Sequence, residues 1–273
     1  MNSPRIVFYQ VALALILLCG APAATSQVNV VITGDDVVVE INLLGIGADF
    51  SIHFDDPQNL TVPALGIGVQ LVSPLSRDLR ARMPPSRGGL TLALPLIISV
   101  DPPAKHGLAF SNVTEIELHT HLLPFQIDSP LRLYKSDNGG PFYDITTDIQ
   151  PGSVRTRGRT GGFSDFLLVV DLTPPQVAAE DKYAFLEETL YAVPHYGVRF
   201  QLERDLALSR SAFRAGNFAD ARLAMEVFED RVRKNAGTAI PNRWRAQRDL
   251  DNVAGDLLSE AGSLRYMLIR LGG

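Results

Sequence analysis

Two glutamates and two histidines alternate along residues 113–122, at Glu115, Glu117, His119 and His121. In a β-strand every second side chain lies on the same face, so this spacing places all four on one side. Imidazole nitrogens and carboxylate oxygens are common ligands of Zn²⁺ and Cu²⁺. The pattern therefore predicts a metal site that uses His119, His121 and Glu117.

One strand alone does not complete such a site. Zinc needs three or four convergent ligands, and alternate residues lie about 7 Å apart along a strand. A further ligand must come from elsewhere, and His53 and His106 are the candidates. The alternative interpretation is the solvated face of a strand whose other face packs inward.

Arginines and the only tryptophan offer a second kind of chemistry. Arg155, Arg157 and Arg159 also alternate, which predicts either a surface for anions or acidic polysaccharides, or a charged edge strand that resists aggregation. Trp244 stands between Arg243 and Arg245. It would either stack on a sugar ring or pack over the end of a helical bundle.

Motifs of catalysis are missing from the sequence. It contains no Gly-x-Ser-x-Gly, no Walker loop, no Gly-x-Gly-x-x-Gly, no His-Glu-x-x-His and no cysteine pair. We therefore predict no catalytic residues, no cofactor and no enzymatic activity, and a hydrolase is the weakest of the functional hypotheses.

The elements that must position these residues fall into two blocks. Residues 27–173 form runs rich in Val, Ile, Leu, Phe and Thr, separated by Gly, Pro and Asp turn signals, which predicts an all-β Ig-like sandwich. The predicted strands are 28–33, 37–43, 48–54, 66–72, 90–100, 113–122, 131–134, 142–147, 154–156 and 163–171.

Residues 174–273 change to a helical period. Predicted helices cover 177–191, 198–214 and a segment from Phe218 to about Gly237, and Pro241 opens a last helix with a stripe from Leu250 to Leu271. Short loops between amphipathic helices predict a small all-α bundle.

Segments in each of the two blocks resemble known protein families. The segments 131–134, 142–145 and 163–169 resemble the closing strands of bacterial surface β-sandwiches of the ZU5/GAIN-like kind, some of which cleave themselves at a His-Phe/Leu-Ser/Thr step. Gly162 occupies the histidine position here, before Phe163 and Ser164. Without that local base we predict no self-cleavage, so that the chain runs intact on a denaturing gel.

The helical block carries the second resemblance. Residues 212–217, continuing through Ala221, Phe228 and Val232, resemble the FIMAH-type helical module that follows β domains in secreted bacterial proteins. The segments 240–245, 249–255 and 264–266 resemble a secreted bacterial family of unknown function. That resemblance implies no particular chemistry.

The N-terminus predicts export. Residues 1–26 contain Arg5, a 13-residue apolar run at 6–18 that is broken only by Gln10, and small residues after it, which is typical of a signal peptide cleaved after Ala23 or Ser26. Cleavage removes Cys19, the only cysteine of the 273 residues, and leaves a mature chain without a transmembrane segment.

Together these observations predict a secreted or periplasmic bacterial protein with a structural or adhesive role. A net charge of −5 does not favour a nucleic-acid partner. We expect the partner to be another protein or a surface glycan. The alternative is a carbohydrate- or metal-binding module on the His119/His121 face, and the sequence leaves the oligomeric state open.

Overall fold

The computed structural model describes residues 27–85, 88–126, 128–150 and 153–272. The predicted signal peptide, residues 1–26, lies outside this range. The described chain is mostly β-sheet in its N-terminal part, and its long helices follow.

Fourteen strands and six α-helices make up the described chain. The strands are β1 (Gln27–Thr33), β2 (Asp36–Leu43), β3 (Ile46–His53), β4 (Ile67–Leu71), β5 (Leu90–Leu92), β6 (Leu96–Val100), β7 (Ala109–Ser111), β8 (Thr114–Pro124), β9 (Leu131–Ser136), β10 (Phe142–Asp144), β11 (Thr146–Gln150), β12 (Ser153–Thr160), β13 (Asp165–Asp171) and β14 (Arg243–Arg245). The helices are α1 (Val62–Leu65), α2 (Arg77–Arg82), α3 (Pro175–Thr189), α4 (Tyr196–Arg214), α5 (Phe218–Asn235) and α6 (Val253–Gly272).

Two large antiparallel sheets and one small one organise the strands. The first sheet has the order β1-β2-β3-β8-β12-β11, and the second has the order β10-β9-β13-β6-β4, with β5 also paired to β13. The third sheet joins β7 to β14. The chain passes from the second sheet to the first at Ile145, between β10 and β11.

A single hydrophobic cluster lies between the two large sheets. It takes Phe50 and Ile116 from the first sheet, and Phe166 and Leu133 from the second. The rings of Phe50 and Phe166 lie 5.3 Å apart across the layers. Burial of these inward side chains leaves the alternate positions on each strand to face outward.

The four long helices enclose a second cluster. Tyr183, Leu206, Phe228 and Leu257 are fully or almost fully buried, one from each of α3 to α6. The Tyr183 hydroxyl lies 2.7 Å from Ser209 Oγ on α4, so the buried polar groups are hydrogen-bonded.

Helices α3 and α6 dock where the two sheets meet. Lys182 Nζ on α3 lies 3.0 Å from Asp144 Oδ2 and donates to Ser263 Oγ at 2.6 Å. Gly255 on α6 comes so close to Gly161, the residue after β12, that an added Cβ would lie 2.7 Å from Gly161 Cα. The helical part therefore rests directly on the sheets.

Several predicted boundaries were wrong. The segment 90–100 forms two strands, and so does 142–147, while the short strand predicted at 154–156 extends over eight residues. Residues 77–82, which belong to no predicted strand or helix, form the short helix α2.

The last helix begins at Val253, twelve residues after Pro241. Asn252 caps it, because its Oδ1 accepts a hydrogen bond from Gly255 N at 3.0 Å. Residues 243–245 instead pair with β7, which is a long-range contact that no local pattern indicates.

Candidate functional site

Strand β8 places the alternating acids and histidines as the sequence predicts. Ile116 and Leu118 are buried in the core, while Glu115 and His121 are exposed and Glu117 and His119 are half-buried on the other face. The period of two residues alone accounts for this arrangement.

The arginines of β12 lie directly opposite this row. The register pairs Arg155 with His119, Arg157 with Glu117, and Arg159 with Glu115. Arg157 Nε donates to Glu117 Oε2 at 2.7 Å, and Arg159 Nη2 donates to Glu115 Oε1 at 3.1 Å. Arg155 Nε lies farther from Glu117 Oε1, at 3.9 Å.

This placement corrects the edge-strand interpretation of the arginines. Strand β12 lies between β8 and β11, so its arginines do not guard an open edge. Two of them neutralise glutamates across the strands, which also removes them as free anion-binding groups.

Strand β3 borders the other side of β8. His119 Nδ1 lies 3.2 Å from Asp49 Oδ2, and His53 Nδ1 lies 2.7 Å from Asp36 Oδ1. The rings of His119 and His121 meet edge to face, with centroids 4.6 Å apart.

The predicted metal ligands do not converge with a further ligand in the described part of the chain. Nowhere in the described ranges do three or more His, Cys, Asp or Glu side chains form a group that could hold a metal ion. His53 lies opposite Glu115, away from His119, and His106 lies in a 3-10 turn outside this sheet. Glu117 is held by Arg157.

Helix α6 turns this outer face into a cleft of about 760 Å³. Residues of β2, β3, β8 and β12 form its floor, and the C-terminal half of α6 forms a wall. Gly262 allows the close approach, since an added Cβ would lie 3.3 Å from Thr147 Cγ2. The side chains that line the cleft include Asp36, Val38, His53, Glu115, Glu117, Asp148, Arg157, Arg159, Arg265, Tyr266 and Ile269.

Charges in the cleft largely compensate one another. Besides the cross-strand pairs of the floor, Arg265 binds two glutamates of α5, Glu226 at 2.9 Å and Glu229 at 3.1 Å. Asp148 on β11 lies opposite Arg157 in the register, without an ion pair between them. The cleft therefore presents many hydrogen-bonding groups with little net charge.

Tyr266 is the aromatic residue of the cleft. Burial raises the pKa of its phenol to about 12, so the hydroxyl is neutral at physiological pH and can donate a hydrogen bond. The Arg132 guanidinium lies over the ring, 5.6 Å from its centroid. One ring face is thus occupied by a cation, which fixes the orientation of the ring.

Trp244 lies outside this cleft and inside the β core. It is 7% exposed on β14, stacked on Phe110 at 5.3 Å and edge-on to Phe163 at 5.6 Å. This position corrects both expectations from the sequence, because the ring neither packs over the helical bundle nor stands exposed as a sugar platform.

Sequence reasoning missed the wall of the cleft. Tyr266 and Ile269 lie three residues apart on α6, and Ile269 is 50% exposed although most apolar residues of this helix are buried. An isoleucine three residues after a tyrosine, outside the apolar stripe of the helix, was the available signal. Asp148 had none, because its position depends on a bulge in the β11–β12 pairing.

Comparison with known proteins gives a family and no activity. The model of a family of unknown function, DUF6689, matches residues 13–272 of the chain. No curated protein matches the sequence. Among the described residues no helix is both long and apolar enough to cross a membrane.

Proposed function

Since the chain belongs to DUF6689, a family of unknown function, we propose its function from the geometry of the cleft. It is a secreted or periplasmic, non-enzymatic protein with an adhesive or structural role. Its cleft binds a neutral, hydroxyl-rich ligand, of which a surface glycan is the chemical type.

The ion pairs on the floor of the cleft are the observation that supports this proposal most directly. Glu117 and Arg157, like Glu115 and Arg159, already satisfy each other's charge. An anionic ligand would have to displace a glutamate from its arginine, whereas a hydroxyl group can use the oxygens and N–H groups that remain. A carboxylate offers about four acceptor sites and a guanidinium five N–H donors, more than one ion pair consumes.

Apolar surface in the same cleft supports the choice of a glycan. Val38 on the floor is 36% exposed and Ile269 on the wall is 50% exposed, and Tyr266 lies beside Ile269 on α6. Sugar rings present C–H faces as well as hydroxyl groups, so they match a cleft that is apolar in part and polar in part. Ligand sites generally combine such a lining with a few fixed polar groups.

Calorimetric titration with neutral oligosaccharides tests the proposal. Arg157→Met keeps the aliphatic stem but removes the guanidinium from the floor, so it should weaken binding at least about tenfold. Arg155→Met is the matched control, because Arg155 alternates on the same strand but does not line the cleft. Equal affinity of the two variants would contradict the proposed site.

The ligand series supplies the second half of the test. Neutral oligosaccharides should bind more tightly than acidic ones of the same length, since the cleft has no unpaired guanidinium to receive an anion. Preference for the acidic series, or no binding on a glycan array, would remove the glycan proposal and leave a protein partner as the expectation.

The proposal also assigns each of the two parts of the chain to a type of domain. We infer an Ig-like, ZU5/GAIN-like sandwich over 27–173 and a FIMAH-like helical module over 174–273. The cluster between the two large sheets and the cluster among the four long helices support this division, and Trp244 and Ala246 are residues of the second part that pack into the first cluster. Limited proteolysis should cut first near residue 174 if the two parts are domains.

Export is the remaining part of the proposal. It is supported by the charged, apolar and small-residue regions of residues 1–26. Mass spectrometry of the protein recovered outside the cytoplasm should show an N-terminus at Ala24 or Gln27, and an intact residue 1 would contradict it.

Metal binding is the second candidate, favoured by the His119–His121 ring contact. Zinc or copper should raise the melting temperature, and the double variant His119→Ala, His121→Ala should abolish that shift. A melting temperature that does not change with either metal would eliminate this candidate.

A further inference from the structure

Strand β1 is the outer strand of the first sheet, and no described strand pairs with its free side. It runs for seven residues, in continuous register with β2 and without a bulge. Its sequence, QVNVVIT, contains no charged residue and no proline. Proteins usually protect an edge strand with lysine, proline, a bulge or a covering element, because a bare edge pairs with other strands.

The other sheet edges are protected or short. Strand β11, at the opposite edge of the same sheet, packs against α6. In the second sheet the end strand β10 and the side strand β5 have three residues each, and β4 has five. The four-residue helix α1 contacts β1 but is shorter than the strand, so among the described strands β1 is the long edge with the least protection.

The hairpin turn determines which backbone groups of β1 are free. Gly34 and Asp35 form a two-residue loop, so Thr33 and Asp36 form the hydrogen-bonded pair that closes the turn. Hydrogen-bonded pairs alternate along an antiparallel ladder. Asn29 and Val31 therefore bond to β2.

The backbone groups of the intervening residues, Val28, Val30 and Ile32, point to the free edge. Their side chains lie on the core side, since the residues opposite them on β2 are Ile41, Val39 and Val37, which are buried.

The spacing of the free backbone groups on β1 allows the strand to pair with a second copy of itself. Two antiparallel β1 strands related by a twofold axis at Val30 place Val28 opposite Ile32 of the second copy and Val30 opposite Val30. All three opposed pairs then consist of residues with free backbone groups, so each pair can exchange two hydrogen bonds. A twofold interface requires such self-complementarity of one patch.

The side chains and the lack of charge on β1 are also compatible with this antiparallel pairing. On the core side, Val28 is 43% exposed and would gain cover from Ile32 of the second copy. On the outer face, Val31, which is 45% exposed, would lie beside Asn29 of the second copy. No ionised side chain of β1 enters the seam, so no like charges meet.

From these observations we infer that the β1 edge is an interface with a second copy of this chain. The two copies join antiparallel at Val30 and continue their six-stranded sheets into one. The inference does not rest on the glycan proposal, since the cleft uses side chains on the outer face of β2 to β12, whereas the pairing uses the backbone edge of β1.

Sedimentation velocity on the exported protein, from low micromolar to near-millimolar concentration, tests the inference. The wild type should shift from monomer to dimer as the concentration rises. Val30→Pro removes a free-edge N–H without breaking the β1–β2 ladder, a position where an edge strand tolerates proline. It should weaken dimerisation at least about tenfold. Val31→Thr keeps the edge backbone and is the control that should still dimerise.

Hydrogen exchange gives a readout that needs no variant. The amides of Val28, Val30 and Ile32 should gain protection with rising concentration, while those of Asn29 and Val31 stay protected throughout. A protein that remains monomeric at every concentration would overturn the inference, and so would a folded Val30→Pro variant that dimerises normally. Concentration-independent protection at Val28, Val30 and Ile32 in a monomer would assign the edge to the chain's own N-terminal segment.

Discussion

Replacing Trp244 by alanine tests whether this residue anchors the C-terminal part of the chain to the β core. The ring is 7% exposed and contacts Phe110 and Phe163 at centroid distances of 5.3 and 5.6 Å. Gly162 lies against its edge, where an added Cβ would be 2.9 Å from Nε1. Truncation to alanine leaves a cavity, because the closely packed neighbours of the ring cannot move far enough to fill it.

The loss of stability follows from that packing. Removing a buried tryptophan or phenylalanine side chain costs about 3–5 kcal/mol. Domains are stable by about 5–15 kcal/mol, so the change removes a large part of the total. With a urea m-value of about 3 kcal/mol/M, the midpoint of unfolding should fall by at least about 1 M.

Urea unfolding followed by far-ultraviolet circular dichroism measures this effect, because the variant has no tryptophan fluorescence. Tyr191→Ala is the matched control, since Tyr191 is 77% exposed and its removal should leave the midpoint almost unchanged. Trp244→Phe should fall between the two, because it keeps an aromatic ring in the cluster.

A folded Trp244→Ala variant with the unfolding midpoint of the wild type would show that Trp244 does not anchor the C-terminal part of the chain. If it also lost glycan binding, Trp244 would be an accessible ligand platform, as one interpretation of the sequence suggested. Loss of stability together with retained binding is the expected outcome.

Three further predictions concern the joint between helices and sheets. Burial raises the pKa of Asp256 to about 6 from its ordinary 3.8, against the opposing effect of the Lys135 charge. The folded state therefore binds this proton more tightly, and its stabilising contribution is complete below pH 3.8 and is lost as the pH rises through 6. Asp256→Asn should show a smaller loss of unfolding free energy between pH 4 and 7 than the wild type, by up to about 3 kcal/mol, and an identical pH profile would contradict this. Gly255→Ala should lower the melting temperature, since the new Cβ would lie 2.6 Å from a backbone oxygen, whereas Gly47→Ala, with nothing within 4 Å, should not. Lys182→Met should lower the free energy of unfolding in urea by about 1–3 kcal/mol, because it removes the closer ion-pair partner of Asp144 and leaves only Arg132, at 3.9 Å, and adding Asp144→Asn should restore part of the loss.

Local periodicity accounts for what the sequence predicted well. The alternation at Glu115, Glu117 and His119 follows from the two-residue repeat of a strand, whichever strands lie beside it. The helical stripe through Tyr183 and Leu186 likewise follows from the 3.6-residue period, and both side chains are buried. Such predictions need no knowledge of the neighbours.

Predictions that depended on contacts between distant segments were less accurate. Residues 243–245 looked like the start of a helix, but Trp244 pairs with Phe110, 134 positions earlier in the chain. The arginines of 155–159 looked like an edge, but another strand covers each side of β12. In both cases the deciding hydrogen bonds join segments far apart in the chain, and intrinsic propensity is weak beside them.

The order of the blocks, the two faces of each strand and the apolar stripes of the helices can be read from the sequence, because these depend on the geometry of one segment. The contact of Glu117 with Arg157, the cleft that Tyr266 closes over them, the burial of Trp244 and the edge position of β1 become visible in the folded chain. Strand order and helix docking are settled by hydrogen bonds and packing between distant segments, and a linear pattern does not contain them.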